Sequence, residues 1–258
     1  PMTLGCDGAG IVEELGSDVT GFQKGDAVYG VANFFSNGTY AEYCAAKASQ
    51  FALKPQRIDF TEAAGVPLAA LTAWTGLFAY GNVQAGQRVL IQGASGGVGS
   101  FAVQFAKAKG AYVIGSASTQ NLDYLRSIGA DEVIDYTTQN AGELVHDLDV
   151  ILEASPLRDN NERLKAVHML KEGGVFVSVN TDLPFSDDVL DALTRKGVTG
   201  ELAANQPRRE WLDEIARLID AGTVQVSISK VFPLEQVAQA HRDSESWHVR
   251  GKLVLTIV

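Results

Sequence analysis

Cysteine is almost absent: Cys6 and Cys44 are the only two in 258 residues. Two thiols cannot build a disulfide framework, and their scarcity fits a reducing cytoplasm. Long apolar runs are missing as well. None reaches the roughly 18 residues that a membrane-spanning helix needs, and no signal-peptide pattern opens the chain. Basic residues are outnumbered, with 21 Lys and Arg against 31 Asp and Glu and a net charge of −10. Nucleic-acid surfaces need clustered Lys and Arg, so this balance argues against one and mostly supports solubility. Internal repeats and low-complexity tracts are also lacking. A hydrophobic content of 46% and a charged content of 20% describe an ordinary globular chain. Its length suits one large domain or two smaller ones.

Glycine is plentiful, and its most informative placement is the run Val89-Leu90-Ile91-Gln92-Gly93-Ala94-Ser95-Gly96-Gly97-Val98-Gly99. An apolar strand ends in glycines 93, 96 and 99, and helical spacing follows. Val98, Phe101, Ala102 and Phe105 share one helix face, whereas Gln104, Lys107 and Lys109 fall elsewhere. A glycine turn between buried strand and helix brings backbone N–H groups and the positive helix end against a diphosphate. Strand before and helix after is the context that makes such glycines a dinucleotide cradle.

The surroundings have two textures. Residues 4–53 are glycine-rich, with short strands and turns. Gly10–Leu15 and Ala27–Gly30 read as strands, Phe22–Asp26 reads as a turn, and Thr39–Ala45 alternates as a strand does. Helical character starts near Asp59–Glu62, where Asp59 or Thr61 can cap, and runs through Trp74 and Leu77. Beyond it, strands are expected at 88–92, 112–116, 132–135, 149–153, 174–179 and 198–202. Helices are expected at 97–109, 121–128, 160–170, 187–194 and 207–221. The alternation predicts an α/β fold, a doubly wound parallel sheet joined by crossover helices. A strand near Val226, a helix over 234–243 and a strand over 252–257 close the chain.

Sites that prefer NAD place an acid about 20 residues past the glycines, on the ribose hydroxyl. Here the second strand leads into Ser116-Ala117-Ser118-Thr119-Gln120-Asn121, and no Asp or Glu occurs between Gly110 and Leu122. Hydroxyls and an amide can bond a 2′-phosphate that a carboxylate would repel, which favours NADPH. The competing structural role is that Ser118 or Asn121 caps the next helix.

With the glycine run stand Gly5-Cys6-Asp7-Gly8-Ala9-Gly10 and Phe22-Gln23-Lys24-Gly25-Asp26-Ala27-Val28. To these are added Ala64-Gly65-Val66-Pro67 through Ala73-Trp74-Thr75-Gly76-Leu77, Leu125-Arg126-Ser127-Ile128-Gly129-Ala130-Asp131 and His248-Val249-Arg250-Gly251-Lys252. In this order and spacing they resemble the medium-chain dehydrogenase/reductase superfamily, and most of all its zinc-free quinone oxidoreductase and enone reductase branch. The resemblance implies a GroES-like substrate domain from residues 1–58 and 229–258, around a Rossmann domain over 59–228. It also implies a homodimer made by the nucleotide domains and an active cleft between domains. In the cofactor site it places Thr72 near the nicotinamide, and Ser95, Gly96, Gly97 and Val98 on the diphosphate. Ser118, Asn121 and Tyr136 go around the adenosine phosphate, Ser155 and Val179 at strand ends, and Arg250 closes from the tail. Tyr136 can equally be an ordinary half-buried aromatic.

Family members carry several strands before the point where this chain begins, so it resembles a member shortened at its N-terminus. Such a barrel would leave strand edges unpaired. Zinc-dependent relatives have a His at the position of Cys6, so no metal is expected; Cys6 and the four histidines read as structural or surface residues. Gly93-Ala94-Ser95-Gly96-Gly97 also satisfies the G-x-S-x-G nucleophile elbow, with His241 or His248 as candidate partners. Gly99 and the acid-free stretch would then have no purpose. Tyr43 and Lys47 match Y-x-x-x-K, but they precede the glycines, and a strand would not align the pair. The reading is an NADPH-dependent reductase of a small-molecule quinone or α,β-unsaturated carbonyl. The alternative is a shortened, non-catalytic protein that binds or senses NADPH. No catalytic acid is assigned; Phe34, Phe35 and Tyr40 are candidates to shape the substrate side.

Overall fold

A computed structural model describes residues 2–32, 37–156 and 159–257. Its elements are β1 (Asp7–Ile11), β2 (Ala27–Val31), β3 (Phe51–Leu53), α1 (Phe60–Ala64), α2 (Pro67–Trp74), β4 (Arg88–Gln92), α3 (Gly97–Ala108) and β5 (Tyr112–Ala117). Then come α4 (Leu122–Ser127), β6 (Glu132–Asp135), α5 (Ala141–Leu144), β7 (Leu148–Glu153), α6 (Asn160–Met169) and β8 (Leu170–Ser178). Last are α7 (Asp187–Lys196), β9 (Thr199–Leu202), α8 (Arg209–Asp220), β10 (Ile228–Pro233), α9 (Val237–Glu245) and β11 (Lys252–Thr256). Among the described residues, no helix is long and apolar enough to cross a membrane. Two compact units emerge, residues 1–71 with 206–258, and residues 72–205.

The second unit is a six-stranded parallel sheet in the order β6-β5-β4-β7-β8-β9, with the chain reversing direction across the sheet between β4 and β7. The middles of its central strands are apolar because helices cover both faces: Val89, Leu90, Ile91, Ile151 and Leu152 are fully buried. Helix α3 is more enclosed than its spacing predicts, since Gln104 is also buried and its side-chain N–H bonds the Ser100 carbonyl at 3.0 Å. Beyond α2 the chain continues as a π-helical turn, Thr75–Tyr80. Trp74 packs edge-on against Phe78 and Phe105.

The first unit pairs β1, β2 and β3 antiparallel, and β10 with β11 in parallel. Its strands differ from expectation. The first is Asp7–Ile11 rather than Gly10–Leu15, and Thr39–Ala45 forms no regular strand. Gly38, Thr39 and Tyr40 instead donate backbone bonds to Thr3, Gly5 and Leu4, a short irregular ladder that ends before Tyr43, which is 77% exposed. Helix α8 counts with this unit, and the divisions between the compact units fall at 71/72 and 205/206. The buried Tyr29 on β2 shows why: its hydroxyl donates to the Leu212 carbonyl of α8 at 2.6 Å. Asp59 caps α1 in a reciprocal capping box with Glu62.

Candidate functional site

Strand β4 hands over to α3 through Gly93, in the left-handed region at φ +70°. A Cβ there would lie 2.7 Å from the Ser155 Cα and 2.8 Å from the Ala154 carbonyl oxygen. At Gly99 a Cβ would meet the Gly93 carbonyl and the Ala94 Cα. Side chains would therefore close the turn, and their absence lets backbone approach backbone. Helix α3 opens at Gly96, which has no side chain to cap the first-turn N–H groups, and that turn carries no acid. Ser95, Gly96, Gly97 and Val98 are half-buried there. Open N–H groups and the positive end of a twelve-residue helix suit a diphosphate. The chain's own residues thus fit a dinucleotide.

At the carboxyl end of β5, Ser118 and Asn121 occupy capping positions, but neither side chain caps a helix. Asn121 donates to the Ser118 hydroxyl at 3.2 Å instead. Tyr136 is 57% exposed rather than half-buried, and its backbone N–H reaches the Ala117 carbonyl at 3.2 Å. One neighbour escaped the sequence reading. Asp135, paired with Ala117 across β5 and β6, accepts from the Thr119 hydroxyl at 2.5 Å, the Thr137 hydroxyl at 2.6 Å and the Thr137 N–H at 3.0 Å. The Thr119 bond first, and then those from Thr137, hold its carboxyl below the usual range. The stretch 111–121 has no acid, yet strand pairing supplies one from β6. Register was the signal that could have found it.

The carboxyl ends of β7 and β8 carry Ser155 and Val179, both half-buried. Between them lies a polar group the sequence reading missed. Arg163 of α6 is fully buried, and its guanidinium grips the Glu153 carboxylate through Nε (3.1 and 3.2 Å) and Nη2 (2.8 Å). Thr72 sits at the start of the second unit and accepts from the Asn205 side chain at 2.8 Å. Arg250 lies exposed before β11, in the other unit.

The four histidines are exposed, and His241 and His248, the partners a Ser95 nucleophile would need, belong to the other unit. Phe34 and Phe35 lie outside the described residues; Tyr40 is half-buried near His241, ring centroids 6.1 Å apart. Among the described residues no group of three or more His, Cys, Asp and Glu could hold a metal ion. Cys6 is half-buried rather than buried. Beside it the Asp7 carboxylate takes the Leu68 N–H at 2.6 Å and the Lys252 ammonium at 3.6 Å. Burial pushes the Asp7 carboxyl up despite that ammonium. A carboxylate turned to a lysine and a backbone N–H does not fit a zinc site.

Known proteins match this architecture along its whole length. Residues 1–56 match the alcohol dehydrogenase GroES-like domain, and residues 128–255 match the family described as zinc-binding dehydrogenase. A mitochondrial NAD(P)H oxidoreductase of Mus musculus is 35% identical over all of this chain and 71% of its own length. An NADPH-dependent alkenal/one oxidoreductase of Arabidopsis thaliana, chloroplastic, is 36% identical over 99% of this chain and 64% of its own. The solved quinone oxidoreductase from Coxiella burnetii superposes with a TM-score of 0.91 at 33% identity, covering 100% of this chain and 80% of that one. With a GroES-like stretch at residues 1–56 and a glycine turn after the first strand of a parallel sheet, the chain belongs to the medium-chain dehydrogenase/reductase superfamily, whose quinone oxidoreductase-like members are its relatives.

Proposed function

We propose that the protein is a zinc-independent, NADPH-dependent reductase of a quinone or an α,β-unsaturated carbonyl. The observation that carries this is the turn Gly93–Gly99, whose missing side chains leave the start of α3 open to a diphosphate. When bound, the dinucleotide supplies a hydride from its nicotinamide ring. The residues of this chain bind and orient it. The first turn of α3 takes the diphosphate, and Ser118, Asn121 and Tyr136 surround the adenosine phosphate. Thr72, Ser155 and Val179 line the nicotinamide end. The names of relatives from mouse and Arabidopsis support both the nucleotide and the substrate class. Two free thiols suit a reducing compartment such as the cytoplasm. Assembly as a homodimer through the nucleotide units completes the reading, supported by the unpaired outer edges of β6 and β9.

A second nucleotide, NADH, is favoured by one observation: Asp135 brings a carboxylate to the neighbourhood of Thr119, where it would oppose a 2′-phosphate. Paired titrations with NADPH and NADH, followed by addition of a simple enone or quinone, decide between them. Tighter NADPH binding with oxidation on addition of substrate is expected. Tighter NADH binding moves the specificity to Asp135, and binding without oxidation leaves a nucleotide-sensing protein. If neither nucleotide binds, the proposal falls.

A further inference from the structure

We propose that Arg163 and Glu153 are positioning residues that set the nicotinamide end of the cofactor site, acting through Ser178 and Asn180 on Ser155 and Val179. This rests on the dinucleotide reading above. Glu153 and Ser178 are the last residues of β7 and β8 and stand opposite each other in the sheet. The Ser178 hydroxyl donates to the Glu153 carboxylate at 2.5 Å and receives the Arg163 Nη2 at 2.9 Å. It also accepts the Asn180 backbone N–H at 3.0 Å. Asn180 then spends its side-chain N–H groups on the Ser155 carbonyl at 2.8 Å and the Glu153 carboxylate at 3.4 Å. The remaining arm of the guanidinium, Nη1, holds the Leu183 carbonyl at 2.9 Å, and the guanidinium carbon lies 5.1 Å from the centroid of the Phe185 ring. One buried cation therefore ties two adjacent strand ends and the loop after β8 into a single polar network.

The placement gives the network its consequence. In an open parallel sheet the ligand lies in the crevice outside the carboxyl ends of the strands. Ser155 lies two residues past Glu153 and Val179 one past Ser178, and the Val179 N–H is fixed to the Glu153 carbonyl at 3.1 Å. A core salt bridge with no further role gains nothing from lying there, since buried ion pairs are weak sources of stability. A fully satisfied network does confer rigidity, and a reacting ring tolerates little displacement.

Two variants of the chain test the proposal, Arg163→Lys, which keeps the charge but loses the planar fork, and Asn180→Ala, which removes the side-chain bonds to Ser155 and Glu153 and leaves the ion pair in place. Each is read for its thermal midpoint, its NADPH affinity and its affinity for the adenosine half alone (adenosine 2′,5′-bisphosphate, with ADP in parallel). The expected result is NADPH binding weakened roughly tenfold in both, with the adenosine half bound as in the wild type. Unchanged NADPH affinity in folded Asn180→Ala overturns the proposal, and so does an equal loss for NADPH and the adenosine half. Should Arg163→Lys fail to fold, Asn180→Ala decides alone. A wild-type chain that binds neither nucleotide nor adenosine half removes the dinucleotide reading and this inference together; a wild type that binds normally beside unaffected variants removes this inference only.

Discussion

Each unit encloses a carboxylate, Glu153 buried and Asp7 half-buried, and the two are compensated very differently. In the nucleotide unit Glu153 receives a planar guanidinium, a serine hydroxyl and an amide, so its charge is answered by directional bonds. In the other unit Asp7 has one backbone N–H and an ammonium 3.6 Å away, and burial pushes its carboxyl up toward the protonated form. The first arrangement locks two strand ends in register. The second holds a charge that a single proton can relieve. Rigidity thus collects where a cofactor would be aligned, and tolerance collects in the GroES-like unit.

The contrast breaks most decisively at Arg163. Arg163→Met strands Glu153 in the core and is expected to cost about 3–5 kcal/mol, whereas the double variant with Glu153→Met recovers most of it. Urea denaturation of the three variants checks this, and a loss of only about 1–3 kcal/mol for Arg163→Met would put Glu153 on the same footing as Asp7. Lys252→Met should cost less, about 1–3 kcal/mol at neutral pH, because Asp7 can take a proton instead. That cost shrinks as the medium is acidified.

The pH profile sharpens the same contrast. Asp7 titrates higher in the native chain than unfolded, so between those two values the native state binds more protons and stability falls as pH rises. Asp7→Asn should flatten that limb, which begins near the unfolded carboxylate value of about 3.9. Asp131 in the nucleotide unit runs the opposite way. Partial burial pushes it up, but the Lys107 ammonium at 2.5 Å and the Val113 N–H at 2.9 Å more than offset this, and its carboxyl is held down. Its contribution is present above the unfolded value and lost as pH falls through the lower native one, so Asp131→Asn should reduce the acid sensitivity. The smallest effect expected is at Asp59: Asp59→Ala removes half of a capping box and about 1 kcal/mol, read as a shifted denaturation midpoint.

Legibility followed the same division. Strands β4, β5 and β7 lie within a residue of their expected bounds, because strands buried on both faces are near-continuous apolar runs. Strand β8 starts at Leu170 rather than 174, since Lys171, Glu172 and Gly173 carry no strand pattern. In the GroES-like unit the strands are short, glycine-rich and half-exposed, so Asp7–Ile11 was displaced and Thr39–Ala45 was misread. At the candidate site the glycine turn between β4 and α3 was readable, being local. Asp135, Asn180 and the Arg163–Glu153 pair were not, because each depends on partners brought in by strand order or helix docking.

By itself the sequence determined the doubly wound sheet, the glycine turn at Gly93–Gly99 and the superfamily, since all three rest on local patterns: apolar period, glycine at fixed offsets, and motifs in order. Only the tertiary structure decided what stands at the carboxyl ends of β7 and β8. Whether a buried charge is answered depends on which side chains reach it across the sheet. Glu153 meets Arg163 ten positions along the chain and Ser178 twenty-five along, brought together by parallel strand pairing and the crossover helix between them. No sequence window contains that meeting, and its geometry separates a locked carboxylate from a tolerated one.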